Sequence, residues 1–131
     1  MRLYLDTAPV IYTVEQVPIF SALVDTRLSS PDIVLVASDL TRLECRVRPL
    51  REGNTKLLME YDTFFEWAVA EIIALSRDVI DRATEIRAQY GFKTPDAIHL
   101  AVAANANCEV FLTNDHRLDR FSEIAVVVIQ T

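Results

Sequence analysis

Short apolar runs and helical apolar stripes alternate along this chain from one end to the other. Residues 2–5 (Arg2-Leu3-Tyr4-Leu5) have the character of a short strand, and Thr7-Ala8-Pro9 opens a helix, since proline is tolerated in a first turn. Helical segments are predicted over 9–17 and 19–29, parted near Pro18. The continuous apolar run 33–37 is of strand length and suits a strand buried on both faces. Ser38 or Asp39 caps the next helix, which ends near Gly53. Along that helix Leu40, Leu43, Val47 and Leu50 recur at helical spacing and are read as its buried stripe.

The second half repeats the alternation. A helix over 54–68 starts at Asn54 and carries Leu57, Leu58, Tyr61, Phe64 and Phe65 at helical spacing. A strand is predicted at 71–75. Ser76 then caps a helix with Val79, Ile80, Ala83, Ile86 and Tyr90 on one face, stopped by Gly91. Thr94 as N-cap and Pro95 as first helical residue open another helix to about 106. Strands at 109–113 and 125–129, with a helical turn near 116–121 between them, complete the series. Strands that alternate with helices pair in parallel through crossover connections. The expected fold is therefore a three-layer α/β/α sandwich with a central parallel sheet. With 131 residues and no linker, repeat or low-complexity stretch, the chain reads as a single domain over 1–131.

Composition narrows the chemistry. Apolar residues make up 51% and charged residues 24%, which places the chain among globular proteins rather than disordered ones. Only two glycines are present, and neither G-x-x-x-x-G-K nor G-x-G-x-x-G occurs, which excludes a P-loop or a dinucleotide fingerprint. Cys45 and Cys108 are far apart and form no C-x-x-C pair, so two buried thiols are expected rather than a disulfide or zinc site. No signal-peptide pattern is seen, and no apolar run reaches ~18 residues, so a cytoplasmic location is expected. The net charge of −6 cuts against a simple nucleic-acid binder. One basic patch stands against it: Arg42, Arg46, Arg48, Arg51 and Lys56, interrupted by Glu44 and Glu52.

Four acids stand where an ordinary surface carboxylate is hard to account for. Asp6 ends the first strand, and Asp115 follows Val110-Phe111-Leu112-Thr113-Asn114. Glu44 lies on or beside the apolar stripe of its helix, and Asp96 sits in the first turn of an apolar helix. Gathered together, they would form a pocket of negative charge that bound cations make tolerable. Each also has a plainer reading. Asp6, or Thr7, caps the helix that follows. Glu44 pairs with Arg48 one turn on. Asp96 answers the helix dipole, and Asn114-Asp115 is common turn chemistry. Thr113 and Asn114 could hydrogen-bond neighbouring carboxylates, while Asp119 reads as solvated or as part of the same rim. His99 is expected to be a satisfied helix histidine rather than a ligand, because an oxygen-rich site suits Mg²⁺ or Mn²⁺; His116 is expected at the surface.

Four strings carry a resemblance: Tyr4-Leu5-Asp6-Thr7, then Ser38-Asp39-Leu40-Thr41-Arg42-Leu43-Glu44, then Thr94-Pro95-Asp96-Ala97-Ile98-His99-Leu100-Ala101, then Leu112-Thr113-Asn114-Asp115. In this order and at these intervals, over essentially the whole chain, the sequence resembles the PIN-domain ribonucleases, in particular the VapC toxins of toxin–antitoxin pairs. The resemblance implies a sheet of order 3-2-1-4-5 with the four acids converging at one edge. It implies that Asp6, Glu44, Asp96 and Asp115 are catalytic and hold one or two Mg²⁺ or Mn²⁺ ions. It further implies an RNA substrate (tRNA, rRNA or mRNA), a homodimer, and a VapB-type antitoxin that pushes a basic side chain into the acidic pocket. Arg42 and Arg46, in the patch beside Glu44, are candidates for contacting RNA phosphate, or else form a solvated helix face. A haloacid-dehalogenase-type phosphatase would want an acid where Ala8 stands, and a phospho-receiver domain would want paired acids near the first strand. The readings left beside the ribonuclease are a PIN-like module that no longer cuts and a metal-dependent DNA nuclease.

Overall fold

The computed structural model describes residues 1–130. Its elements follow the predicted alternation: β1 (Arg2–Leu5), α1 (Thr7–Val14), α2 (Phe20–Leu28), β2 (Val34–Ser38), α3 (Asp39–Arg51), α4 (Thr55–Trp67), β3 (Glu71–Ile73), α5 (Arg77–Tyr90), α6 (Thr94–Asn105), β4 (Val110–Thr113), a 3₁₀ turn (His116–Arg120) and β5 (Ala125–Val128). All five strands run parallel in the order β3-β2-β1-β4-β5, so the fold and strand order are those expected. Strand ends shift by one or two residues. The start of α6 is corrected by one position: Thr94 is its first residue and Lys93, without a side-chain bond, its N-cap.

The period-2 pleat divides the core in two. Tyr4 lies opposite Val36 on one side and Phe111 on the other, and Phe111 lies opposite Val126. This row packs with Val79, Ile86, Leu100 and Phe121, mostly from α5 and α6, and the Tyr4 and Phe111 rings stack at 5.3 Å. The residues of opposite pleat, Leu3, Leu5, Ala37 and Leu112, pack with Val10, Val24, Tyr61 and Phe65 of α1, α2 and α4. Burying both faces accounts for the near-continuous apolar character of the strands. Cys45 and Cys108 are free and buried, and burial pushes the Cys108 thiol up to about 11.

Helix α3 departs from its predicted orientation. Leu43, Val47 and Leu50 are exposed, and the buried positions are Thr41, Cys45 and Pro49. The reason lies in satisfied polarity. Ser38 accepts from the Thr41 N–H in a capping box, and both hydroxyls meet the buried Tyr4 hydroxyl, at 2.8 and 3.2 Å. Polar groups bonded in this way can sit in a core without the usual penalty.

The strand order reverses between β1 and β4: the chain builds outward from β1 through β2 to β3, then returns to place β4 and β5 on the other side. In open parallel sheets the crevice beyond the strand ends at such a switch point is where ligands bind. Asp6 leaves β1 at that point, and Asp115 lies two residues past the end of β4.

Candidate metal centre

Asp6 is held in place by three local contacts. Its backbone N–H continues the ladder to Leu112 O at 3.0 Å. Oδ1 accepts from the Thr7 N–H at 2.8 Å, capping α1, and Oδ2 accepts from the buried Thr113 hydroxyl at 2.7 Å. The cap predicted for Asp6 is thus realised. Thr113 Oγ1 also accepts from the Asp115 N–H at 3.1 Å, so one hydroxyl ties the two carboxylate-bearing segments together.

Glu44 reaches the pocket from α3. Its Oε1 accepts from Thr7 Oγ1 at 2.6 Å and meets His99 Nε2 at 2.6 Å. The same ring nitrogen is 3.5 Å from Asp6 Oδ1. With carboxylate oxygens on both sides, Nε2 carries a hydrogen. Nδ1 shares a hydrogen bond with Tyr4 OH at 2.7 Å, and Tyr4 in turn bonds Ser38 and Thr41. Burial acts to raise the Glu44 carboxyl, but the bonds from His99 and Thr7 outweigh it and hold the group below the ordinary range. His99, expected as a satisfied helix histidine, is satisfied. It is also the link between Glu44 and Asp6, a role that sequence reading missed. The one available signal was its position three residues after Asp96, on the same helical face.

Asp96 makes no hydrogen bond among the described residues. Burial, then the charges of Asp6 and Asp115, push its carboxyl up, partly offset by His99 and Arg117. The three aspartates therefore share one field. Asp115 is drawn the other way. Its Oδ1 accepts from the Arg117 backbone N–H at 2.9 Å and from Nε at 3.0 Å, and its Oδ2 accepts from Nη2 at 2.6 Å. Those bonds hold its carboxyl below the ordinary range. Arg117 is the second participant that sequence reading missed.

The remaining candidates lie further out. Asn114 donates to Tyr12 OH at 3.0 Å, away from the carboxylates. Asp119 and His116 are exposed on the 3₁₀ turn, and Asp119 makes no ion pair among the described residues. Arg42 and Arg46 both pair with Asp62 of α4, at 3.8 and 2.8 Å, and Arg48 pairs with Glu15 and Glu52. Much of the basic patch is thus already neutralised, and its first function in the fold is to fasten α3 to α4.

The four carboxylates are oxygen donors of the kind a hard cation takes, and Asp96 is without a hydrogen-bond partner among the described residues. Glu44 Oε2 and both Asp96 oxygens take no hydrogen bond among the described residues. As the side chains stand, though, no three potential ligands among those residues are arrayed to hold an ion. The pocket has the donors for a divalent ion, with Asp115 committed to Arg117.

The model of the PIN domain matches residues 3–124. This chain belongs to the PIN domain family. Solved structures share the fold. A chain of VapBC2 from Rickettsia felis, crystallised bound to a DNA fragment from its promoter, aligns with TM-score 0.78 and 14% identity over 99% of this chain and 100% of that one. A chain of a toxin–antitoxin complex from Klebsiella pneumoniae aligns with TM-score 0.71 and 22% identity over 98% of both chains. VapC20 of Mycobacterium tuberculosis, described as a sarcin–ricin-loop-cleaving toxin, aligns with TM-score 0.68 and 16% identity over 83% of this chain and 86% of that one. No curated protein matches by sequence. No helix of this PIN domain is long and apolar enough to cross a membrane, among the described residues.

Proposed function

We propose that this PIN domain, acting as a single domain over 1–131, is a VapC-type toxin: a metal-dependent endoribonuclease that hydrolyses RNA phosphodiester bonds in the cytoplasm. What supports the reading is membership of the PIN domain family together with the placement of Asp6 and Asp115 beyond the ends of β1 and β4, Asp96 within reach of both charges, and Glu44 linked to Asp6 through His99. Asp6, Glu44, Asp96 and Asp115 are the residues that would hold one or two Mg²⁺ or Mn²⁺ ions. Bound there, a divalent ion supplies positive charge for the developing charge on the phosphoryl oxygens and lowers the pKa of the attacking water.

The chain's own residues set the stage. Thr113 and the Thr7 N–H fix both oxygens of Asp6, and His99 with Thr7 fixes Glu44. The buried Tyr4, Ser38 and Thr41 hydroxyls brace His99 from behind. Among the described residues no serine, cysteine or histidine stands as a nucleophile paired with a base, and in this reading the attacking group is water. An O–P bond forms, one ester oxygen leaves with a proton, and the products are a phosphomonoester end and a hydroxyl end.

Two partners belong to the reading. A VapB-type antitoxin is supported by the toxin–antitoxin complexes among the similar structures. The Arg117–Asp115 pair is an intramolecular counterpart of the guanidinium contact with which such a partner would neutralise the pocket. A homodimer is supported by surface shape. Leu43, Val47 and Leu50 are exposed on α3, where they line a depression with Arg42 and Arg46, and Ile80, Ala83, Ala88, Ala97 and Ile98 line, with Thr84, Arg87 and Thr94, a groove of about 690 Å³ between α5 and α6. A two-fold axis would set such apolar surface of one copy against that of the other.

Purified, antitoxin-free protein tests the activity on a panel of structured and single-stranded RNAs with a single-stranded DNA control, in Mg²⁺, Mn²⁺ and EDTA. RNA cutting that EDTA abolishes, and that falls at least ~100-fold in Asp6→Asn and Asp96→Asn, is the expected result. Cutting of DNA alone would replace the ribonuclease by a DNA nuclease. No cutting in either metal would leave a binding module.

A further inference from the structure

We propose that Arg117 is a resident counter-cation that competes with the divalent ion for Asp115, and so sets how tightly the site loads. The proposal rests on Asp115 being a metal ligand. Both Asp115 oxygens are engaged by Arg117, through Nε at 3.0 and 3.2 Å and Nη2 at 2.6 Å. This is the forked geometry in which guanidinium–carboxylate pairs are strongest. The pair is built locally. Asp115 caps the 3₁₀ turn through the Arg117 N–H, and that same turn carries the Arg117 side chain back over the carboxylate.

The Arg117 guanidinium also stands in the field of Asp96 and relieves part of the charge pressing on it. One guanidinium therefore offsets two of the three clustered aspartates. The other carboxylates keep free lone pairs, so Asp115 is the only one of the four whose two oxygens are both held by a cation. A metal ion that takes an Asp115 oxygen must displace side-chain N–H donors from it, whereas the backbone N–H can stay. The Arg117 side chain is 66% exposed, so the displaced guanidinium moves into water without breaking any packing. An ion pair this exposed is weak enough to be exchanged and strong enough to compete. The consequence is a site whose Asp115 charge is balanced when no ion is bound and that gives up this pairing as the divalent ion loads.

Calorimetric titration of the full chain with MnCl₂ tests the proposal, comparing wild type with Arg117→Gln, Arg117→Lys, Asp115→Asn and the double variant Asp115→Asn/Arg117→Gln. Arg117→Gln is expected to bind Mn²⁺ about three- to tenfold more tightly than wild type, and Arg117→Lys to lie between them. In the Asp115→Asn background the gain from Arg117→Gln should shrink below about twofold. Wild-type binding with no tightening in Arg117→Gln would overturn the competition and leave the metal reading standing. An equal gain in both backgrounds would reduce Arg117 to a general surface charge, and would also overturn it. No Mn²⁺ binding in any variant would remove the metal reading and this proposal together.

Discussion

At Asp96, burial and the charges of Asp6 and Asp115 all penalise ionisation, against the pull of the helix N-terminus, which favours an anion there. The folded carboxyl thus titrates above its unfolded value. The stability it contributes is complete below the unfolded value and is lost as pH rises through the raised one. At neutral pH without metal, the ionised side chain is a liability. Because the group is half-exposed, screening keeps the effect below about 1 kcal/mol. Asp96→Asn is therefore expected to melt a few degrees higher than wild type in EDTA at pH 7, with the gap closing near pH 4. Lower stability of the variant at pH 7 would contradict this. Glu44 and Asp115 run the opposite way, and their stabilising pairings are lost as pH falls through their depressed values. The four candidate acids stand out in the sequence by their places, Asp6 and Asp115 after strands, Asp96 in a helix's first turn and Glu44 beside an apolar stripe that faces outward in the fold. Their tuning does not, since His99 lies 55 positions from Glu44, and Arg117 had no local feature to set it apart from any surface arginine.

At the scale of the element, α3 shows where periodicity misleads. Hydropathy assigns Leu43 and Val47 to the core, yet the fold buries Thr41 and Cys45, because the Tyr4 hydroxyl gives Ser38 and Thr41 a partner. Glu44 still falls beside the buried face, next to Cys45 rather than on a leucine stripe. Leu43, Val47 and Leu50, left outside, are the apolar surface proposed to meet a second copy, and interfaces of that kind bury upwards of about 1,000 Å². Leu43→Glu/Val47→Glu is expected to halve the mass in light scattering while leaving the far-UV circular dichroism unchanged. A dimer that survives both charges would place the contact elsewhere. The other helices were readable because their caps are written in the sequence: Asn54 and Ser76 each bond the N–H three residues on, and Gly91 ends α5 with φ +76°.

For the molecule as a whole, alternation of strand and helix dictates a parallel sheet but not its order. Only the family resemblance supplied 3-2-1-4-5, and that order is what sets the ends of β1 and β4 side by side. A chain of net charge −6 with the proposed acidic site would need cations there before it could approach a polyanion. That ties RNA cleavage and metal loading into one claim. Anomalous diffraction from crystals of the antitoxin-free protein grown in MnCl₂ tests it most directly. The expected result is an Mn²⁺ peak within ligand distance of Asp6, Asp96 and Asp115, with the Arg117 guanidinium moved off Asp115. Well-ordered carboxylates with no peak between them, and Arg117 still in place, would contradict the account.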